Sequence, residues 1–152
     1  MQIETTRFGE IDVADEKIIN FKDGLIGLEE LTAFALISSE ETWPFYWLQA
    51  VDDAGLALCV INPFTILPDY APNVPQLALD ELGIKEDSDV LLLTVAVVPQ
   101  EVTKMTTNLA APILINNVNN SASQVVLDTR DHELRHPIFS EVQALVEAGG
   151  QD

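Results

Sequence analysis

Apolar residues recur along the chain in short runs, several of them alternating with polar ones, and the runs are separated by glycine, proline, asparagine and aspartate. They read IETTRF, IDVADEKIINF, AFALIS, FYWLQAV, LALCVIN, VLLLTVAVV, APILIN and QVVLD. Runs of this length, spaced by turn residues, predict strands of a mainly β, mostly antiparallel domain. Asp52, Asp53, Ala54 and Gly55 join FYWLQAV to LALCVIN, a connection short enough for a hairpin in which Gly55 is expected to supply a positive φ. Asn117 to Ser121 plays the same part between ILIN and QVVLD.

Two segments break the period of two. In VPQLALDELGI, Leu77, Leu79 and Leu82 fall near one another and Gly83 is a natural stop, which predicts one short internal helix. In PIFSEVQALVEAGG, Pro137 suits a first helical position, and Ile138, Val142, Leu145 and Val146 form an apolar stripe before Gly149 and Gly150. This C-terminal helix is expected to pack on the sheet. No internal repeat, linker or low-complexity tract interrupts the 152 residues, so residues 1–152 read as a single domain.

The stretch EETWPFYWLQAVDDAG, 40 to 55, departs from simple alternation. Phe45 and Trp47 share one parity and Tyr46 and Leu48 the other, so simple amphipathic alternation fails and one face must meet something besides water: the strand body is expected to be mainly core and its acidic hairpin end the contact, with one aromatic shared between them. Its ends are acidic, and no cation occurs in it.

Composition extends that local asymmetry to the whole chain. With 47% hydrophobic residues the chain has enough apolar material for a sizeable core, whereas 25 acids against 7 Lys plus Arg leave a net charge of -18. No Lys, Arg or His lies between Asp23 and Gly83, a span holding Glu29, Glu30, Glu40, Glu41, Asp52, Asp53, Asp69, Asp80 and Glu81. Such a field repels nucleic acid and anionic membranes and attracts basic proteins; an acid-rich proteome produces the same asymmetry for solubility alone. The longest nearly unbroken apolar run, LLLTVAVV, is far too short to cross a bilayer, and MQIETTRFGE has neither a basic start nor an apolar signal core. A cytoplasmic protein with no membrane association is expected. The single cysteine, Cys59, lies within LALCVI and reads as a small packed hydrophobe in a reducing compartment.

One stretch imitates a catalytic motif. HELRH, His132 to His136, matches H-E-x-x-H, in which two histidines on one helix face bind zinc and the glutamate activates water. Pro137 follows at once and disfavours a continuous helix through His136, so a zinc-dependent hydrolase is the rival reading and a turn before the terminal helix the preferred one. GLIG, 24 to 27, has the spacing of an RNA-clamping loop, but Asp23, Glu29 and Glu30 oppose a phosphate backbone, and a turn before Leu28 is expected. Glu86, Asp87 and Asp89 around Ser88 lack the glycine and distal glutamate of a calcium loop and read as a solvated turn. INPF and TTNLAAPILINN are structural punctuation, with Pro63 and Pro112 limiting strands. No catalytic residue, metal or cofactor is assigned.

Taken in order, FKDGLIGLEE, LQAVDDAGLALCVINPF, LDELGI with DVLLLTVAVV, TTNLAAPILIN, and SQVVLDTRDHELRHPIF resemble the successive blocks of the bacterial flagellar assembly factor FliW family. The resemblance spans nearly the whole chain; Lys22 departs from it, standing where the family's first block often has proline. It implies a small antiparallel β-barrel-like domain with one short internal helix and a C-terminal helix, without catalysis. It also implies a protein-binding regulator of flagellar assembly that binds and antagonises the RNA-binding translational repressor CsrA, and is titrated by flagellin so that flagellin translation follows export. An acidic chaperone-like module is the remaining alternative, and a monomer is expected. A repressor that holds RNA carries basic surface, so acids at turns plus an apolar centre are the candidate contacts: Asp52 and Asp53 at the hairpin, Glu86, Asp87 and Asp89 at the next turn, and Tyr46 or Trp47 as the aromatic.

Overall fold

Strands that are apolar on both faces need cover on both, and the fold supplies it by rolling the sheet into a barrel and then plating its outside. The computed structural model describes residues 1–149. Its strands are β1 (Gln2–Thr5), β2 (Gly9–Asp12), β3 (Ile19–Phe21), β4 (Ala33–Ser38), β5 (Phe45–Ala50), β6 (Ala57–Ile61), β7 (Val90–Val97), β8 (Thr106–Thr107), β9 (Ile113–Asn116), β10 (Ser121–Gln124) and β11 (His136–Pro137), and its helices are α1 (Gln76–Glu81) and α2 (Phe139–Glu147). Strands β7, β6, β5, β4, β3, β10 and β9 pair in that order, and β9 pairs again with β7, which closes a seven-strand ring. Closure removes the unpaired edges that an open sheet would expose. All pairings in the ring are antiparallel except β3 with β10.

Alternation then sorts the side chains. Ile19, Phe21, Phe34, Leu36, Tyr46, Leu48, Ala50, Leu58, Val60, Leu91, Leu93, Val95, Ile113, Ile115 and Ala122 form one interior cluster, with the Phe21 and Phe34 rings edge to face at 5.4 Å. The opposite parity is covered three times over. The β1–β2 hairpin lays Ile3 and Ile11 over Ala33 and Ala35 of β4. The segment from α1 to Ile84 puts Leu79, Leu82 and Ile84 on Leu92 and Leu114. Helix α2, with Ile138 before it, seats Val142 on the layer formed by Phe45, Ile61, Ala96 and Met105. Each fully buried Leu, Ile or Phe in these layers contributes about 1.5–3 kcal/mol relative to exposure.

The expected elements are present, with shifted bounds. IDVADEKIINF is interrupted by a 3-10 turn, Asp15–Lys17, and becomes β2 and β3. The strand expected at QVVLD lies earlier, at Ser121–Gln124. Beyond it the chain stays extended, with the N–H groups of Val125 and Leu127 donating to the carbonyls of Pro112 and Ala110. Gly83 stops α1 at φ +72, as expected, but Leu77 is exposed, so the buried face of this helix is narrower than its leucines suggest. Pro137 does not open α2. It pairs with Thr106 as part of β11, Ile138 takes the cap position, and the stripe loses Val146, which is exposed. Gly150, expected beside Gly149 at the helix stop, lies outside the described residues.

Candidate partner-binding surface

Strand direction decides which acids share an end of the barrel. β5 runs into the turn at Asp52–Gly55 and β6 leaves it. β3 and β4 meet β5 in the registers Ile19↔Phe34 and Phe34↔Ala50, so the 22–31 loop that joins β3 to β4 lies at this same end. Two backbone bonds fix it there, Val51 N–H to the Ala33 carbonyl at 2.9 Å and Phe21 N–H to that of Thr32 at 2.7 Å. Asp23, Glu29, Glu30, Asp52 and Asp53, all exposed, thus gather around one mouth of the barrel. β7 is antiparallel to β6 through Val60↔Val95 and Ile61↔Thr94, so it starts at the other end, and Glu86, Asp87 and Asp89 lie there. The two acidic turns named as candidates are therefore not brought together.

The Asp52–Gly55 turn is built differently from the expected glycine turn. Gly55 does not adopt a positive φ. The turn is closed by an aspartate side chain, Asp53 Oδ1 accepting from Gly55 N–H at 3.1 Å, and by Leu56 N–H donating to the Asp53 carbonyl. An Asx turn of this kind needs no left-handed residue. Beneath it sits Gln49, fully buried, whose Nε2 faces the carbonyls of Ala50, Asp53, Ala54 and Leu56 at 3.1–3.3 Å. Its Oε1 has no partner. Gln49 is a residue that sequence reasoning missed; its signal was a lone amide amid FYWLQAV, where a water-facing residue is unexpected on a strand covered on both faces. From outside, the tip of the β1–β2 hairpin braces the turn, Thr6 N–H donating to the Ala54 carbonyl at 2.9 Å.

The two aromatic candidates go to opposite sides. Tyr46 points into the barrel with Leu48 and packs on the core. Trp47 lies on the outer face, half-buried, its Nε1–H donating to Thr42 Oγ1 at 3.2 Å. The Arg7 guanidinium stands 3.9 Å above its ring centroid and Phe8 meets it edge-on at 6.4 Å. Cys59 is directly opposite Trp47 on β6. Burial pushes its thiol up to about 11, opposed by the Arg7 charge. The thiolate is the reactive form, so alkylation of native protein by iodoacetamide at pH 8 is expected to run about a hundredfold slower than that of a free thiol; an ordinary rate would mean that the packing around Cys59 opens readily.

HELRH forms no helix. His132 lies in a bend, Leu134 and Arg135 form a turn, and His136 begins β11. His136 Nδ1 lies 3.1 Å from Glu133 Oε1, whereas His132 turns its ring edge-on to Tyr70 at 5.5 Å. Among the described residues no three His, Cys, Asp or Glu side chains converge as a ligand set. The stretch instead lines a cavity of about 470 Å³ with Ile66, Leu67 and Leu109. Tyr70 in its wall donates to the Leu109 carbonyl at 2.7 Å, and burial raises its hydroxyl to about 12. No helix among the described residues is long and apolar enough to cross a membrane.

Comparison with known proteins matches this architecture over nearly the whole chain. A family model described as FliW protein matches residues 2–138. The flagellar assembly factor FliW of Alkaliphilus metalliredigens is 37% identical over 152 residues, covering 99% of this chain and 94% of that protein. That of Ruminiclostridium cellulolyticum is 40% identical over 144 residues, covering 94% and 97%. A crystal structure of the flagellar assembly factor FliW superposes with a TM-score of 0.85 at 31% identity, covering 91% of this chain and 97% of that one.

Proposed function

The chain belongs to the FliW family of flagellar assembly factors, and on that premise we propose that it regulates flagellin synthesis by binding two proteins in turn. It holds the translational repressor CsrA away from RNA, and flagellin displaces it, so that the repressor is released when unexported flagellin accumulates. The binding is electrostatically steered. A protein that grips RNA presents cationic surface, and a -18 protein draws it in at a rate that falls with salt.

The observation that carries this reading is the convergence of Asp23, Glu29, Glu30, Asp52 and Asp53 on one end of the barrel, on two loops held together by the β3–β4–β5 pairings. We assign the repressor's first contact to this end. Glu86, Asp87 and Asp89, at the other end, form a separable surface. Changing Asp52 and Asp53 together to Asn is expected to lower the association rate several-fold at low ionic strength and to flatten its salt dependence, with little change in dissociation. Stopped-flow binding over a salt series measures both; an unchanged rate and slope would remove the hairpin from the contact. In a competition, flagellin added to the preformed complex is expected to release the repressor completely, and a stable ternary complex would break the titration mechanism.

A further inference from the structure

The acidic mouth is also the place where the barrel core reaches the surface. Along β7, Leu91, Leu93 and Val95 point inward and pack on the core. Val97 is next in that inward column, yet it is 61% exposed. No described residue closes over it. Val97 lines a cavity of about 320 Å³ whose floor is Leu25, Leu28, Leu58 and Val95. Two further exposed aliphatics stand on the same rim, Ile26 at 59% and Leu134 at 55%. They come from separate loops, 22–31 and 131–135, so three segments distant in sequence present aliphatic side chains to one opening.

The backbone around Ile26 is built to hold this arrangement. Gly24 and Gly27 adopt φ +69 and +84, Leu25 is buried, and Leu28 N–H donates to the Leu25 carbonyl at 2.8 Å. Ile26 N–H is held by Gln124 Oε1 at 3.0 Å. Leu25 is thereby turned inward and Ile26 outward. The cavity at the opposite mouth is different: Leu36, Leu91 and Ile115 are rimmed there by Asp12, Lys17, Asn117 and Asn120.

We propose that the Ile26–Val97–Leu134 mouth is the apolar centre of the partner contact, and that its occupant is a segment of a basic protein presenting an aliphatic or aromatic side chain flanked by Lys or Arg. Charge complementarity selects this occupant. The same mouth carries Asp23, Glu29 and Glu30 on the Ile26 loop and Asp52 and Asp53 on the adjoining turn; against them stand Lys22 on that loop, Arg135 in the cavity wall beside Leu134, and Arg7 beside the Asp52–Gly55 turn, its guanidinium stacked on Trp47. A desolvated apolar centre inside a charged rim is the usual division of labour in an interface, the rim setting the rate of encounter and the centre the lifetime. This inference rests on the basic-partner reading above and gives it an anchor that neither Tyr46, half-buried against the core, nor Trp47, which is covered by Arg7, supplies as well.

The test measures binding of purified CsrA to the intact protein and to an Ile26→Ser, Leu134→Ser double variant, which removes apolar surface without changing charge. Dissociation is expected to speed up about tenfold or more while the association rate and its salt slope stay as in wild type. Methyl NMR of the wild-type protein supplies a second readout: Ile26, Val97 and Leu134 signals shift on adding the repressor, and Leu77 and Val118, exposed elsewhere, do not. Wild-type binding with unchanged dissociation in the variant and still methyls would overturn the mouth alone. Absence of any wild-type binding would overturn the underlying reading and the mouth with it. A wild-type dimer that the double variant turns into monomer would assign the mouth to a second copy and overturn the basic occupant.

Discussion

A Phe34→Ala variant is expected to unfold with about 3–5 kcal/mol less free energy than the wild type, the range for removing a buried phenylalanine ring from a packed core. Phe34 has no exposed surface, meets Phe21 edge to face, and sits on β4 between β3 and β5, where the ring of strands must hold its curvature. The cavity it leaves is walled by strands tied into a closed barrel, so collapse of the surroundings is restricted and the cavity penalty adds to the lost transfer free energy. Domains of this size have about 5–15 kcal/mol in all, so the loss is a large share of the total. Phe34→Leu, which keeps most of the volume, is expected to cost well under half as much. Urea denaturation followed by tryptophan fluorescence measures both; a Phe34→Ala loss below about 1.5 kcal/mol would show that the barrel interior adapts rather than packs.

Most of the barrel was legible because its strands carry their own signals. AFALIS coincides with β4 from Ala33 to Ser38, and VLLLTVAVV with β7 but for its last residue. The double-faced apolar pattern of Phe45 to Leu48 was likewise a true report: Tyr46 and Leu48 face the barrel, while Phe45 faces α2 and Trp47 faces the N-terminal hairpin. What the sequence could not specify was everything set by pairing at a distance. Propensity placed a strand at QVVLD because valines favour strands, but the chain pairs at SASQ, where Ala122 is small enough to face the packed interior beside Phe21. Gly55 looked like the turn residue, yet Asp53 does that work through its side chain. The acids were visible one by one, and only strand direction shows that Asp23, Glu29 and Glu30 join Asp52 and Asp53 while Glu86, Asp87 and Asp89 go to the other end. The exposed aliphatics were harder still, since Ile26, Val97 and Leu134 each sit in unremarkable local sequence and meet only through the fold.

The second large effect is expected at Gly24, where a single added methyl group tests the loop that carries Ile26. A Cβ on Gly24 would stand 2.5 Å from the Glu29 Cα and 2.6 Å from its carbonyl oxygen, backbone atoms that have no rotamer to escape into. The residue is also at φ +69, which costs a non-glycine residue about 1–2 kcal/mol before any clash. Overpacking adds about 1–3 kcal/mol, so Gly24→Ala is expected to destabilise by about 2–5 kcal/mol. Gly27 is the internal control: it too has a positive φ, +84, but nothing lies within 4 Å of its Cβ position, so Gly27→Ala incurs only the conformational cost of about 1–2 kcal/mol. Relieving the clash requires Gly24 and Glu29 to part, and the turn between them holds the buried Leu25 and the Leu28 N–H bond to the Leu25 carbonyl, so strain is expected to reach that bond. Hydrogen exchange at the Leu28 amide is therefore expected to accelerate sharply in Gly24→Ala and little in Gly27→Ala, and the complex with the repressor to dissociate faster in the first than in the second. Equal stability and equal exchange in the two variants would show that the 22–31 loop yields without strain, and a loop that yields would not hold Ile26 at the mouth.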